Sequence, residues 1–158
     1  RSVEDSAVDW KTAAEAVMFD SCRPLLIVSD EIPATIGRKI LLAWNGSTET
    51  ARTLTGAMSI LTDIDEVLVV TVEGAMVSGP AGEDVCRHLN ASGISSTAQT
   101  IDRGTSSVAQ AVLEAADKFS ADLIIKGAFT HSRLRQLIFG GPTSELLSTS
   151  TLPILLSH

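Results

Sequence analysis

Short runs of consecutive apolar residues, separated by stretches of helical periodicity, constrain the fold of this chain more than any other feature. The runs Ile40–Trp44, Val67–Val72 and Leu123–Ile125 are almost wholly apolar, and continuous apolarity is typical of a strand that is buried on both faces of a sheet. Between the runs, apolar residues recur every three or four positions, as they do on the buried face of a helix. Strands that alternate with helices predict right-handed βαβ crossovers, and therefore an α/β fold with an open parallel sheet and helices on both faces.

From residue 39 onward the pattern predicts five strands and four helices. Besides the three buried runs, Ile94–Ile101 alternates in the manner of an edge strand, and Pro153–Leu156 is the last strand. Ser47 is the predicted N-cap of the first helix, and Ser106 or Ser107 that of the third. The expected sheet is therefore five-stranded and of the Rossmann-like type.

The first 36 residues add one more helix and one more strand, and these resemble the C-terminal end of the chain. A helical pattern includes Trp10, Ala14, Val17 and Met18, and Pro24–Val28 follows as a strand. One offset of 129 residues, as from Pro24 to Pro153, pairs Val17–Met18 with Leu146–Leu147, Ser21 with Ser150, and Leu25–Leu26 with Ile154–Leu155. Two interpretations stay open: residues 1–36 are an arm left from a preceding repeat, ahead of a domain at residues 37–158, or the similarity is due to chance.

Composition excludes several classes of partner. The net charge is −7, and the absence of a basic run argues against nucleic acid and against anionic membranes. No apolar run approaches the roughly 20 residues that a membrane span needs, and no signal peptide is visible, so a cytoplasmic protein is expected. Cys22 and Cys86 lack the spacing of metal ligands, which favours buried free thiols in a reducing compartment and predicts no metal site.

The candidate ligand site lies in the turns that follow the strands, because open parallel sheets bind ligands at the carboxyl ends of their strands. These turns are Asn45–Ser47, Thr71–Glu73 and Gly127–Thr130. The last of them leads to Gly140–Thr143 at a predicted helix start, where two glycines and the helix N-terminus could hold a phosphate group. An ordinary turn is the alternative for the glycine pair.

The segment Asp122–Gly127, followed by a polar loop and a glycine pair, resembles the universal stress protein family. Nucleotide-binding members of that family share a Gly, two residues, a second Gly, nine residues, a third Gly, and then Ser or Thr. Gly127 and Gly140 match the first and third glycines, whereas Thr130 replaces the second and Gly141 replaces the hydroxyl residue. The family usually has Asp in the turn after the first strand, where this chain has Asn45.

The resemblance implies an adenine nucleotide alpha-hydrolase-like fold with strand order 3-2-1-4-5 and a site for ATP or a related adenine nucleotide. Adenine and ribose are expected against Ala43, Asn45 and Val72, with Val70 nearby. The phosphates are expected near Gly127, Thr130, Gly140, Gly141 and Thr143. Arg133 and Arg135 lie in the same loop, where they either pair with phosphate or are solvated.

Two functions follow from the resemblance. The first is a stress-response, ATP-binding module with a partly degenerate phosphate loop, and the alternative is a dimerisation or interaction domain of a tandem stress protein that binds no nucleotide. Catalysis is not expected, because neither a Gly-x-Ser-x-Gly elbow nor a P-loop is present and His88 and His131 have no evident partners.

The expected partner contact is between two apolar strands. Leu25–Val28 should pair antiparallel with Ile154–Leu156, either within one chain or in a homodimer, since family members resemble one another in pairing through the terminal strand. The helix that includes Trp10 and Val17 should then fold over the junction. A preceding domain is part of the tandem interpretation.

Overall fold

The structure, a computed structural model, describes residues 10–21, 23–29, 33–128 and 141–157. Within these ranges the strands and helices alternate along the chain after an initial helix and strand. In chain order they are α1 (Trp10–Asp20), β1 (Leu25–Ile27), β2 (Lys39–Trp44), α2 (Thr48–Met58), β3 (Glu66–Val72), α3 (Gly82–Ala91), β4 (Ser96–Ile101), α4 (Val108–Phe119), β5 (Leu123–Gly127), α5 (Gly141–Thr149) and β6 (Ile154–Ser157).

All six strands form one sheet, in the order β1-β6-β5-β2-β3-β4. The five strands from β2 to β6 are parallel, with Ile40 of the central strand opposite Val67 on one side and Leu123 on the other. Counted from β2, their order is 3-2-1-4-5, so the predicted parallel α/β fold is confirmed. Strand β4 lies at the edge of the sheet, as its alternating sequence predicts.

The two faces of the sheet bury separate apolar clusters. Successive side chains of β2 point alternately into one cluster and the other. Leu41 packs in the cluster under α4 and α5, where it joins Val112 and Leu146. Leu42 packs in the opposite cluster, under α2 and α3, with Leu54. A strand with both faces covered needs apolar side chains at every position, which is why the run from Ile40 onward is continuous.

A carboxylate joins the amino ends of β2 and β5. Asp122, immediately before β5, accepts hydrogen bonds from the backbone N–H groups of Gly37 at 3.0 Å, Arg38 at 3.2 Å and Lys39 at 3.0 Å. Its own N–H donates to the Lys39 carbonyl at 2.8 Å. These bonds fix the start of β5 against the start of β2, and so align their carboxyl ends.

The N-terminal arm extends the sheet beyond β6. Strand β1 pairs antiparallel with β6 in the same chain, with Leu26 opposite Leu155. Helix α1 buries Ala14 and Met18, whereas Val17 is 42% exposed, so the apolar residues of this helix do not all lie on its buried face. Positions 14 and 18 are one helical turn apart and lie above each other, whereas position 17 turns away from the sheet.

Candidate functional site

The carboxyl ends of β2, β3 and β5 meet at one edge of the sheet, and α2 and α5 begin there. Strand β2 lies between β3, the next strand in sequence, and β5, to which the chain returns after β4. The strand order therefore reverses between β2 and β5. A crevice of this kind is where open α/β sheets bind their ligands.

Asn45 organises the turn from β2 into α2. Its side-chain oxygen accepts hydrogen bonds from the Thr50 hydroxyl at 2.7 Å and from the Ser47 N–H at 3.2 Å. Ser47 caps α2 as predicted, accepting from the Thr50 N–H at 3.2 Å. The oxygen at Asn45 thus stabilises the helix start, and a ribose contact by this side chain stays a prediction.

The loop between β3 and α3 lies against the same turn. The Val77 N–H donates to the Asn45 carbonyl at 2.9 Å, and the Trp44 indole donates to the Pro80 carbonyl at 2.8 Å. Gly46 has φ of +82°, and a Cβ there would lie 2.9 Å from the Val77 carbonyl oxygen. Gly79 packs directly on the Gly46 carbonyl, where a Cβ has no room. Trp44 is 4% exposed and packs in the apolar cluster under α2 and α3.

Gly127 is buried at the end of β5, against the first turn of α2. A Cβ at this position would lie 2.8 Å from the Glu49 carbonyl carbon and would also clash with the Thr50 N–H. The structure thus explains this glycine by the close approach of β5 and α2. This packing does not test the predicted contact of Gly127 with phosphate.

Lys126 lies on the opposite face of β5, level with Ala43 of β2. Its ammonium donates to the Thr143 hydroxyl at 3.0 Å and to the Gly127 carbonyl at 3.1 Å. Burial disfavours the charged form and lowers the pKa of Lys126 to about 8. This lysine belongs to the segment Asp122–Gly127, but no function is predicted for it from the sequence. The available signal was a lysine directly after the apolar run Leu123–Ile125 of a central strand.

The first turn of α5 faces Lys126 and also contacts the start of α4. Thr143 is 6% exposed and accepts the lysine hydrogen bond. Two residues later, the Glu145 carboxylate accepts a hydrogen bond from the Ser107 hydroxyl at 2.5 Å. Ser107 is also the N-cap of α4, one of the two serines predicted for that position. The N-termini of α4 and α5 are therefore joined beside the sheet edge.

The structure brings several of the predicted site residues to this edge but distributes them over both faces. Ala43 and Val72 pack against the cluster under α4 and α5, on the side of Thr143, whereas Asn45 and Gly127 face α2. Gly141 is the first residue of α5, as expected for a helix that begins at the glycine pair. The remaining predicted residues lie outside the described residues; they are Thr130, Arg133 and Gly140, together with Arg135 and His131.

Within the described residues, no group of three or more His, Cys, Asp or Glu side chains is arranged to hold a metal ion. No helix in the same ranges is long and apolar enough to cross a membrane. Cys86 is a buried free thiol, and burial raises its pKa. Cys22 lies outside the described residues.

The fold and the carboxyl edge of the sheet together define an open, mostly parallel α/β protein, with its candidate site at the switch point between β2 and β5. Comparison with known proteins shows which α/β proteins this chain resembles. The profile of the universal stress protein family matches residues 85–158. This segment runs from α3 to β6 and includes Lys126 and the start of α5.

Individual proteins that this chain resembles include a stress response protein and several universal stress proteins. A 48-residue segment is 38% identical to the stress response protein NhaX of Bacillus subtilis (strain 168), and it spans 30% of this chain and 29% of that protein. A universal stress protein from Archaeoglobus fulgidus DSM 4304 superposes with a TM-score of 0.70 at 20% identity, over 91% of this chain and 52% of that one. The chain thus spans about half the length of the Archaeoglobus protein.

A third relative was solved with a ligand. The universal stress protein from Archaeoglobus fulgidus in complex with dAMP superposes with a TM-score of 0.51 at 15% identity. The alignment covers 78% of this chain and 98% of that one. At such identities the similarity establishes the fold, which is that of the solved universal stress proteins.

Proposed function

We propose that this chain is a universal stress protein domain that binds an adenine nucleotide at the carboxyl edge of its sheet and acts in a stress response by binding rather than by catalysis. The observation that carries the proposal is the arrangement of Lys126 and Thr143 at the start of α5, beside the switch point between β2 and β5. A helix N-terminus and a cation favour the same ligand, which is an anion such as a phosphate group.

In this proposal the apolar part of the ligand would lie on the same face, at the ends of β2 and β3. Ala43 is partly buried at the end of β2, and Val72 lies at the end of β3. Small and branched apolar side chains provide a flat surface for a purine ring, next to the polar groups that orient it. The proposal places adenine here and the phosphates toward α5.

The dAMP complex of the Archaeoglobus protein supports this choice of ligand class, because that protein shares the fold. ATP is proposed for the present chain on the basis of its family resemblance. The phosphates would lie near Gly141 and Thr143, with Thr130, Arg133 and Gly140 of the preceding loop as further contacts.

Calorimetric titration with ATP tests the proposal. Thr143→Val keeps the shape of the side chain but removes its hydroxyl, so we expect about a two- to tenfold loss of affinity. Thr149→Val is the matched control, since Thr149 lies at the far end of the same helix and its hydroxyl donates to the Glu145 carbonyl. The proposal fails if the parent protein binds no adenine nucleotide, or if the two variants lose affinity equally.

A second function is favoured by the pairing of β1 with β6. In this alternative the domain binds no nucleotide and works through its edge strands, as an interaction domain of a tandem protein or as a homodimer. Residues 1–36 would then be the remnant of a preceding repeat, ahead of the domain at 37–158. Light scattering with and without ATP discriminates between the two functions. The alternative requires an assembly whose molar mass does not change when ATP is added.

A further inference from the structure

The outer edge of β4 has backbone groups that the sheet does not use. Strand β4 pairs with β3 on one side, where the carbonyls of Ser95 and Ile101 accept hydrogen bonds from β3. Alternate residues of a strand turn their backbone groups to opposite sides, so the N–H and C=O groups of Ala98 and Thr100 point away from β3. Among the described residues neither of these two has a partner on that side. The edge therefore offers two donors and two acceptors to a further strand.

The beginning of this edge is closed by one side chain. The side-chain amide of Asn90, near the end of α3, donates to the Ser96 carbonyl at 3.2 Å and accepts from the Ser96 N–H at 2.9 Å. Asn90 thus takes the place that a neighbouring strand would have, which is a way of protecting an edge from pairing. The open part of β4 begins at Ala98.

A groove with a volume of about 370 Å³ lies beside the open edge, between β4 and α4. Its apolar lining includes Leu68 and Phe119, and β4 contributes Gln99 and Ile101. Because side chains alternate between the faces of a sheet, a strand added to β4 would turn every second side chain toward this groove. Extended peptides are recognised at sheet edges in this way, with main-chain hydrogen bonds for affinity and pockets for alternate side chains.

Two charged residues of α4 line the groove. Glu114 and Lys118 are both exposed, and neither belongs to the ion pairs found among the described residues. They are one helical turn apart, which is about 6 Å along the helix. Alternate residues of an extended strand are separated by a similar distance, about 6.5–7 Å. Two alternate side chains of an added strand can therefore face these residues, a basic one at Glu114 and an acidic one at Lys118.

The direction of α4 sets the order of the two charges in the peptide. Helix α4 returns the chain from β4 to the start of β5, so it runs opposite to β4. A peptide antiparallel to β4, the more stable kind of pairing, meets Glu114 before Lys118. Strand β4 of a second copy would place Gln99 and Thr97 on this face, and these are uncharged. Charge complementarity therefore favours a different protein as the partner.

We propose that β4 and the adjoining groove bind an extended peptide segment of a partner protein, which adds to β4 as an antiparallel strand. It places a basic side chain opposite Glu114 and, two residues later, an acidic side chain opposite Lys118. This surface is at the opposite edge of the sheet from β1. The inference does not depend on nucleotide binding.

NMR of the isotope-labelled full chain tests the proposal with a synthetic peptide of sequence Thr-Val-Thr-Lys-Thr-Glu-Thr-Val, blocked at both ends. We expect the backbone amide signals of Ala98 and Thr100 to shift in a saturable titration. A control peptide has Gln in place of both charged residues. It should bind about two- to tenfold more weakly, because two exposed ion pairs are lost.

Exchanging a charge tests the register. Glu114→Lys should weaken binding of the first peptide by at least about fivefold, and a peptide with Glu in place of its Lys should bind this variant more tightly than it binds the parent. Asp117→Lys is the matched control, since it makes the same change at an exposed residue of the same helix that does not line the groove. Equal effects of the two substitutions would overturn the assignment of Glu114.

Three other results would overturn the proposal. One is the absence of any shift at millimolar peptide. A second is a set of shifts in the groove without shifts at Ala98 and Thr100, which would indicate a ligand that adds no strand. The third is a shift of these two amides with protein concentration alone, which would assign the edge to a second copy.

Amide hydrogen exchange of the unmutated protein covers the case in which Glu114→Lys does not fold. A new strand would form hydrogen bonds with the outward N–H groups of Ala98 and Thr100, so their exchange should slow at saturating peptide. Unchanged exchange at these two positions would contradict strand addition.

Discussion

Leu26 lies directly opposite Leu155 in the antiparallel pair of β1 and β6, and these two residues are also 129 positions apart, the offset that relates the two similar ends of the chain. On either side, Leu25 faces Leu156 and Ile27 faces Ile154. Exchanging each of these residues for the one at the 129-residue offset converts one flanking pair into the other. The junction therefore has a local pseudo-two-fold axis that passes between Leu26 and Leu155, which is the geometry that a dimer of two identical terminal strands would have.

Deletion of residues 1–30 should expose the edge of β6. This strand is buried along its whole length in the presence of the arm, and an uncovered apolar edge pairs with other chains. We expect a dimer through β6 or aggregation, measured by light scattering on the purified protein. A truncated protein that stays monomeric and as stable as the parent would contradict the assignment of the arm.

Gly127→Ala should destabilise the protein by about 1–3 kcal/mol, because the added Cβ forces β5 away from the backbone of α2 at Glu49 and Thr50. Urea unfolding measures the change. Gly82→Ala is the control, since its Cβ would meet side-chain atoms of Thr71 and Val69 at 3.3 Å, which can adjust more easily. Equal losses in the two variants would show that the approach to α2 is not the cause.

Asp122→Ala should cost about 1.5–3 kcal/mol of unfolding free energy, because it leaves backbone N–H groups of residues 37–39 without their charged acceptor. Asp122→Asn retains one acceptor oxygen and should lose less. Asp65→Ala breaks only an exposed ion pair with Arg38 and should change stability little. Denaturant titrations of the three variants should rank them in that order.

The stability of the empty protein should depend on Lys126 in alkaline solution. The folded-state pKa is about 8 and the reference value is 10.5, so between these pH values the unfolded chain holds a proton that the folded protein has released. Stability then rises with pH over this window, by about 3 kcal/mol in total, and the penalty of burying the charge is fully present below pH 8. Unfolding free energies of Lys126→Met, compared with the parent from pH 7 to 10.5, should lack this rise.

The parallel sheet was predictable because its strands are apolar on both faces and its helices have single apolar stripes. The N-cap at Ser47 followed from local chemistry that a short stretch of sequence contains. The exposed position of Val17 could not be predicted from periodicity alone, because positions 14, 17 and 18 all fit one helical stripe, and only the position of the sheet decides which of them is covered.

The site was less predictable, since its main contacts join residues that are distant in sequence. The glycine motif correctly indicated the end of β5 and the start of α5, but the bond between Lys126 and Thr143 spans the whole intervening loop. The contact of Gly79 with Gly46 likewise joins two turns that have no shared pattern. Strand and helix periodicities describe burial within one element, and they contain no information on which turns touch.

The hydrogen bond from the Trp44 indole to the Pro80 carbonyl makes tryptophan fluorescence a probe of this loop. The sequence contains two tryptophans, Trp10 and Trp44, so Trp10→Phe leaves a single fluorophore. That fluorophore is buried at the end of β2 and bonded to the loop that lies on the Gly46 turn. A ligand that displaces this loop would admit water to the indole and shift its emission maximum to longer wavelength. A ligand that binds beside α5 would leave the emission maximum unchanged.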